Sequence, residues 1–294
     1  MIEQEAKFCL RHVKAFVLGV PAFIWQFVFF YVPLFFLFII SITKSWNILG
    51  FGSITMANYW AMLAWAPVKI ISASLLMAVM TTSICVVLAY PVVYFLCRYV
   101  GRLRSFMMFL LILPFWTNFL LHVYAWFMML EKHGLVNNLL IKLGLISQPV
   151  SLLYSYLAIV IVMVHSYLPF MIFPLYSVME KIDKQLLEAS ADLGATFWQT
   201  FFRVIFPLTL SGLMTGVVLV FVTSFAEFVI PELVGGDKFF FVGNLITHYF
   251  LVARNASAGA AFTIVSSLVV LGAISGIYAF VRSAMPGAMR GKKL

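Results

Sequence analysis

The stretch "AEFVIPELVGG", Ala226–Gly236, sets two carboxylates among aromatic and β-branched residues in strongly apolar surroundings. An acid inside a membrane segment is costly and is a functional candidate by default. Glu227 has Phe225 and Phe228 close by in sequence, and a cation over an aromatic face gains about 0.5–2 kcal/mol. That combination suits an organic cation. The competing reading is a carboxylate that reaches the surface or pairs with a basic residue of another chain. Glu232 follows Pro231 at the end of the same run and reads as a loop or gate residue. Glu131 ends an earlier run and is a weaker case. The segment Pro114-Phe115-Trp116-Thr117-Asn118 puts an indole and an amide beside a proline, which would suit a cavity wall. Tyr124, Trp126 and Tyr167 are further lining candidates. His122 and His165 also lie in apolar runs, where a histidine more often makes an interhelical hydrogen bond than binds a ligand.

A second kind of chemistry is absent. No G-x-x-x-x-G-K-[ST] phosphate loop occurs, so no nucleotide would be held by that device. Cys9, Cys85 and Cys97 form no metal or redox spacing. No catalytic constellation emerges, and the chain reads as a non-enzyme.

The elements that must position these residues are membrane helices. Of the 294 residues, 64% are hydrophobic and 10% charged, against about 25% charged in a soluble domain. Six apolar runs are each long enough for a helix across a bilayer, which takes about 20 residues. They cover roughly 15–42, 70–97, 105–130, 149–179, 204–231 and 256–281. Glu227 is then expected about one turn inside the outer end of the fifth run, and Trp116 and Asn118 near the middle of the third. Pro33, Pro91, Pro114, Pro169 and Pro174 predict kinks, and strands are not expected. The net charge of +9 reads as basic loops rather than as nucleic-acid binding. Thirteen Lys and Arg fall on the side of the two termini and six on the other, which places both termini in the cytoplasm. The expected organisation is a cytoplasmic segment 1–14, a membrane domain 15–282 and a cytoplasmic basic tail 283–294.

The fourth loop, about 180–206, is the most polar and most punctuated part of the chain. In "EASADLGATFWQTFFRVIFP", Glu188–Pro207, local rules predict two short helices. Asp183 would cap the first, Gly194 would end it in the left-handed conformation, and Thr196 with Gln199 would form a capping box for the second. Pro207 would mark a kink at the membrane surface. Glu188 and Asp192 are like charges four residues apart, costing about 0.2–0.5 kcal/mol in an isolated helix. Phe197, Trp198, Phe201 and Phe202 crowd the same segment. A headgroup belt would account for the aromatics alone. The whole unit reads better as a docking surface for a cytosolic partner.

This loop resembles the EAA motif of ABC-importer permeases, Glu-Ala-Ala, three residues, Gly, nine residues, Ile-x-Leu-Pro. Here it reads Glu188-Ala189-Ser190, Gly194, then Val204-Ile205-Phe206-Pro207, with Ser190, Val204 and Phe206 as departures. "LPFWTN", "LPFMIFPLYSVMEKIDKQLLEASADLGA" and "AEFVIPELVGG" are similar to the spermidine/putrescine branch, the last especially to its putrescine permease type. The resemblance implies an all-α, six-helix type I importer permease with a cytoplasmic coupling-helix pair in the bacterial inner membrane. It implies a second permease subunit, two ATP-binding subunits and a periplasmic or lipoprotein polyamine-binding protein. ATP and Mg would belong to the ATPase, with no cofactor on this chain. Coupling would fall to Glu188, Ala189, Ser190, Asp192, Gly194, Phe197, Phe201 and Pro207. The path for a polyamine would use Glu227, Phe228, Trp116, Asn118, Tyr124 and Glu232. The alternatives are an importer for another small solute, or an ion-coupled secondary transporter, which would show matched internal repeats that the two halves lack.

Overall fold

A computed structural model describes residues 20–44, 46–47 and 50–284; segment 1–14 and most of the basic tail lie outside them. Contacts divide the chain into two units, residues up to 64 with 248–265, and residues 65–247 with 266 onward.

In the first unit, helix α1 (Val20–Ser41) carries no buried surface in its apolar stretch and presents Phe23, Trp25, Phe29 and Phe35 outward. A hairpin follows, β1 (Trp46–Asn47) paired antiparallel with β2 (Gly50–Phe51). It is a short departure from the expectation of helices alone. Helix α2 (Ala57–Met62) is tied back to the end of α1. The Asn58 amide donates to the carbonyls of Ser41 and Thr43 at 3.0 and 2.9 Å, and the Ser41 and Tyr59 hydroxyls meet at 2.7 Å.

The second unit is built on three long helices, α3 (Trp65–Arg98), α7 (Tyr156–Met179) and α9 (Phe197–Ala226), which pack on one another. Their contact surface holds Met77, Cys85 and Val93 from α3, Ile159, Met163 and Met171 from α7, and Leu210 and Val220 from α9. Lipid tails give helices no hydrophobic reason to associate, so close backbone approach matters more. Gly212 and Gly216, one turn apart on α9, supply it. A Cβ at Gly212 would stand 2.5 Å from the Pro174 carbonyl oxygen, and one at Gly216 would stand 2.7 Å from the Met171 sulfur. Gly212→Val is therefore expected to cost about 1–3 kcal/mol through overpacking. Thermal unfolding of the detergent-solubilised protein checks this, and an unshifted transition would contradict the close contact.

The third apolar run is not one kinked helix, as Pro114 led one to expect over 105–130, but two helices with a break between them. It divides into α4 (Arg104–Ile112) and α5 (Phe119–Leu130), joined by a 3-10 turn at Leu113–Trp116. Pro114 brings no N–H for the Leu110 carbonyl, although Leu113 before it keeps helical angles at φ −50°, ψ −43°. The Asn118 side chain then accepts the Leu120 N–H at 2.9 Å and starts α5 afresh. Short α6 (Leu135–Lys142), α8 (Lys184–Asp192) and α10 (Val242–Thr247) follow in chain order around the long helices, and α11 (Ala256–Ala284) closes the chain. Among the described residues five helices are long and apolar enough to cross a membrane: α1, α3, α7, α9 and α11.

Candidate functional site

Glu227 does not lie inside a helix. Helix α9 ends at Ala226, and Glu227 is extended at φ −65°, ψ 134°. Pro231 supplies the reason: four residues on, it has no N–H for the Glu227 carbonyl, and its ring would clash there in a continuous helix. The freed side chain turns back to cap the next turn. Its Oε1 accepts the N–H groups of Phe228, Val229 and Ile230 at 3.0, 2.7 and 3.3 Å, the positive end of a new helical segment. Its Oε2 accepts the hydroxyl of buried Tyr167 on α7. An acid that sequence alone places on a helix wall is thus the pivot of a helix break, held by four donors.

Beyond the break, a turn at Pro231–Gly235 carries Glu232. Its Oε2 accepts the Asn244 amide at 2.7 Å, and the same amide donates to the Phe228 carbonyl at 3.2 Å. Asn244 is 4% exposed, so Glu232 is oriented by a buried group. Glu232 opens on a cleft of about 530 Å³ with Phe127, Tyr154 and Lys238 on its walls. Gly236 has φ +62°, and a Cβ there would meet the Tyr154 ring at 2.7 Å. Tyr154 itself sits at φ 57° and donates its N–H to the Val234 carbonyl at 2.9 Å. A carboxylate beside two aromatic rings is a setting for a cation, and Lys238 on the same wall is a like charge that works against one.

The other proposed lining residues do not converge on this region. Trp116 is 73% exposed and packs edge-on against Phe109 at 5.8 Å. Asn118 spends its amide oxygen on the α5 cap. Tyr124 and Phe228 face outward. His122 and His165 stack at 4.9 Å instead of sharing a hydrogen bond. Asn244 and Tyr154, missed in the sequence, had one signal each: a lone amide in "FVGNLI" and an aromatic near the start of the fourth run.

The fourth loop takes the form its capping residues dictate. Asp183 accepts the Gln185 N–H at 3.0 Å to begin α8. Gly194 stands at φ +76°, with its N–H donated to Ala191 at 2.8 Å and that of Ala195 to Ser190 at 3.1 Å. This is the double bond of a Schellman ending. Thr196 and Gln199 exchange bonds in a capping box, 2.9 and 3.4 Å, and start α9. A π-helical turn at Phe201–Ile205 precedes Pro207. Ser190 and Thr200 join the two helices at 3.0 Å. Phe201 packs on Tyr90, and Phe197 on Tyr94, at 5.4 and 5.7 Å. Glu188, Ala189 and Asp192 are exposed, and Leu193, Trp198 and Phe202 are 88%, 65% and 60% exposed. Arg104 and Glu180 pair at 2.7 Å at the base of the loop.

The chain is similar to several known proteins. Residues 86–285 match the family described as binding-protein-dependent transport system inner membrane component. The spermidine/putrescine transport system permease protein PotB of Haemophilus influenzae is 40% identical over 211 residues, 72% of this chain and 74% of that protein. PotB of Escherichia coli is 40% identical over 215 residues, 73% of this chain and 78% of its own. The E. coli inner membrane ABC transporter permease protein YdcU is 33% identical over 229 residues, covering 74% of this chain and 73% of that protein. A crystal structure of a bacterial ABC transporter that imports the acidic polysaccharide alginate matches with TM-score 0.68 at 16% identity, covering 98% of this chain and 99% of that one. The same transporter type with a pentasaccharide-bound periplasmic protein matches at TM-score 0.71 and 17% identity, over 94% and 96% of the two chains. The fold is that of an importer membrane subunit.

Proposed function

The chain belongs to the family of inner membrane components of binding-protein-dependent transport systems, and from that premise we propose that it is a permease subunit of an ATP-driven polyamine importer. The family makes it a non-catalytic membrane subunit. The observation that carries the substrate is the 40% identity to PotB permeases over nearly three quarters of the chain, and the oriented Glu232 carboxylate among Phe127 and Tyr154 suits an amine cation. A second permease subunit, two ATP-binding subunits carrying ATP and Mg, and an extracytoplasmic polyamine-binding protein complete the assembly in this reading. Both termini face the cytoplasm, on the strength of the Lys and Arg asymmetry. The exposed face of α8 with Leu193, Trp198 and Phe202 is the docking surface for the ATP-binding subunit, and Glu188, Asp192 and Gly194 shape it. Closure of the ATP-binding pair would then be passed through Phe197 and Phe201 into α3 and α9. Glu227 and Glu232 stand on the substrate path.

Cells lacking their own polyamine uptake and expressing the whole system test the substrate. Uptake of labelled putrescine competed by spermidine and untouched by molybdate supports the reading; molybdate competition would move the chain towards the molybdenum transport system permease protein ModB of Azotobacter vinelandii, which is 29% identical over 161 residues. Glu232→Gln keeps the shape of the cleft and removes its charge. Its uptake is expected to fall roughly tenfold, the weight of a hydrogen bond to a charged group, and wild-type uptake would remove Glu232 from the path.

A further inference from the structure

A second polar site lies apart from Glu232, in a cleft of about 170 Å³ beside the break between α4 and α5. His122 on α5 and His165 on α7 stack face to face at 4.9 Å with planes 7° apart, and Trp126 sets its ring against His165 at 5.1 Å. Ser166 lines the same cleft, is 9% exposed, and its Oγ has no hydrogen-bond partner among the described residues. The remaining walls are Leu110, Leu111, Phe119, Leu168 and Pro169, with Thr117 at the break. Polar groups at membrane depth are costly when unmatched, and two imidazoles with a hydroxyl form a set of acceptors in one apolar pocket. A metal ion fits poorly: the lone pairs of stacked rings lie in separate, nearly parallel planes, whereas an ion needs both nitrogens converging at about 2.0–2.1 Å. An alkyl amine fits well. Its N–H groups would meet imidazole nitrogen and the Ser166 oxygen, its charge would lie against aromatic faces, and its methylenes would lie along the leucines. The next residue on α7, Tyr167, is the one that holds Glu227.

The geometry points to an amine-binding subsite formed by His122, His165 and Ser166, a station for the transported cation distinct from the Glu232 cleft. This rests on the reading of the chain as an amine importer. The test is uptake of labelled putrescine by the complete complex in vesicles of phosphatidylcholine and phosphatidylglycerol, which bring no N–H headgroup amine. Wild type is compared with His165→Phe, which keeps a stacking ring, and Ser166→Ala, which keeps the volume; co-purified ATP-binding subunit reports assembly. Assembled His165→Phe is expected to lose roughly tenfold in uptake and Ser166→Ala several-fold. Wild-type uptake in both assembled variants overturns the subsite and leaves the importer standing. If His165→Phe fails to assemble, Ser166→Ala alone decides. If wild type moves no putrescine, the importer reading falls first and the subsite with it. Activity recovered only on adding phosphatidylethanolamine would assign the cleft to a lipid amine and also overturn the proposal.

Discussion

Gly194→Val is expected to abolish ATP-driven uptake, while Gly194→Asn keeps a large part of it. Nothing lies within 4 Å of where a Cβ at Gly194 would stand, so no clash is at issue. The cost is conformational: the residue sits at φ +76°, a region that costs ordinary L-residues about 1–2 kcal/mol and β-branched ones more. Asn adopts it with little strain. Valine would drive the backbone out of the left-handed region, break the two bonds that end α8, and turn α8 away from α9. The exposed Leu193 and Trp198 would then no longer share one surface. Uptake in proteoliposomes, read beside co-purification of the ATP-binding subunit, checks it. Equal loss with Asn and Val would point to the glycine's bare surface instead, and full activity with Val would contradict the coupling role of the loop.

Glu227→Ala is expected to reduce uptake at least a hundredfold, and Glu227→Gln roughly tenfold. In the alanine variant three backbone N–H groups and the Tyr167 hydroxyl lose their common acceptor, a cost of about 1–3 kcal/mol for each donor left buried and unmatched. The break after Ala226 would not hold its geometry. Glutamine preserves the break: its carbonyl oxygen takes the N–H groups and its amide faces the phenol. What it removes is charge, together with the acceptor capacity that Oε2 retains beyond its one bond to Tyr167. Comparing the two variants separates the cap from the charge. If Glu227→Gln transports like wild type, the carboxylate serves the helix break alone and leaves the substrate path.

The parts legible in the sequence were those decided by a few neighbouring residues. Asp183, Gly194 and the Thr196–Gln199 pair act within a turn of themselves, and their bonds need no knowledge of the rest of the bundle. The long helices were legible from apolar length. In the third run Pro114 announced a kink, but the full break was missed because hydropathy counts side chains, whereas Asn118 acts as a cap that starts a new helix. Glu227 misled in the same way: the break was written in Pro231, four residues on, but reads as such only when the carbonyl it orphans is followed. The facing of Trp116 and Tyr124 depends on which neighbours surround them, and one chain's periodicity does not specify that. The Gly212 and Gly216 spacing hinted at close helix approach but could not name the Pro174 carbonyl as the partner.

The most direct measurement is uptake of labelled putrescine and spermidine by the reconstituted complex of this chain, its partner permease, the ATP-binding subunits and the binding protein. ATP is either enclosed with the nucleotide sites or withheld. The account predicts saturable accumulation of at least one polyamine that requires both ATP and the binding protein. Accumulation that proceeds without ATP, or an assembled complex that hydrolyses ATP and moves neither polyamine, would contradict it.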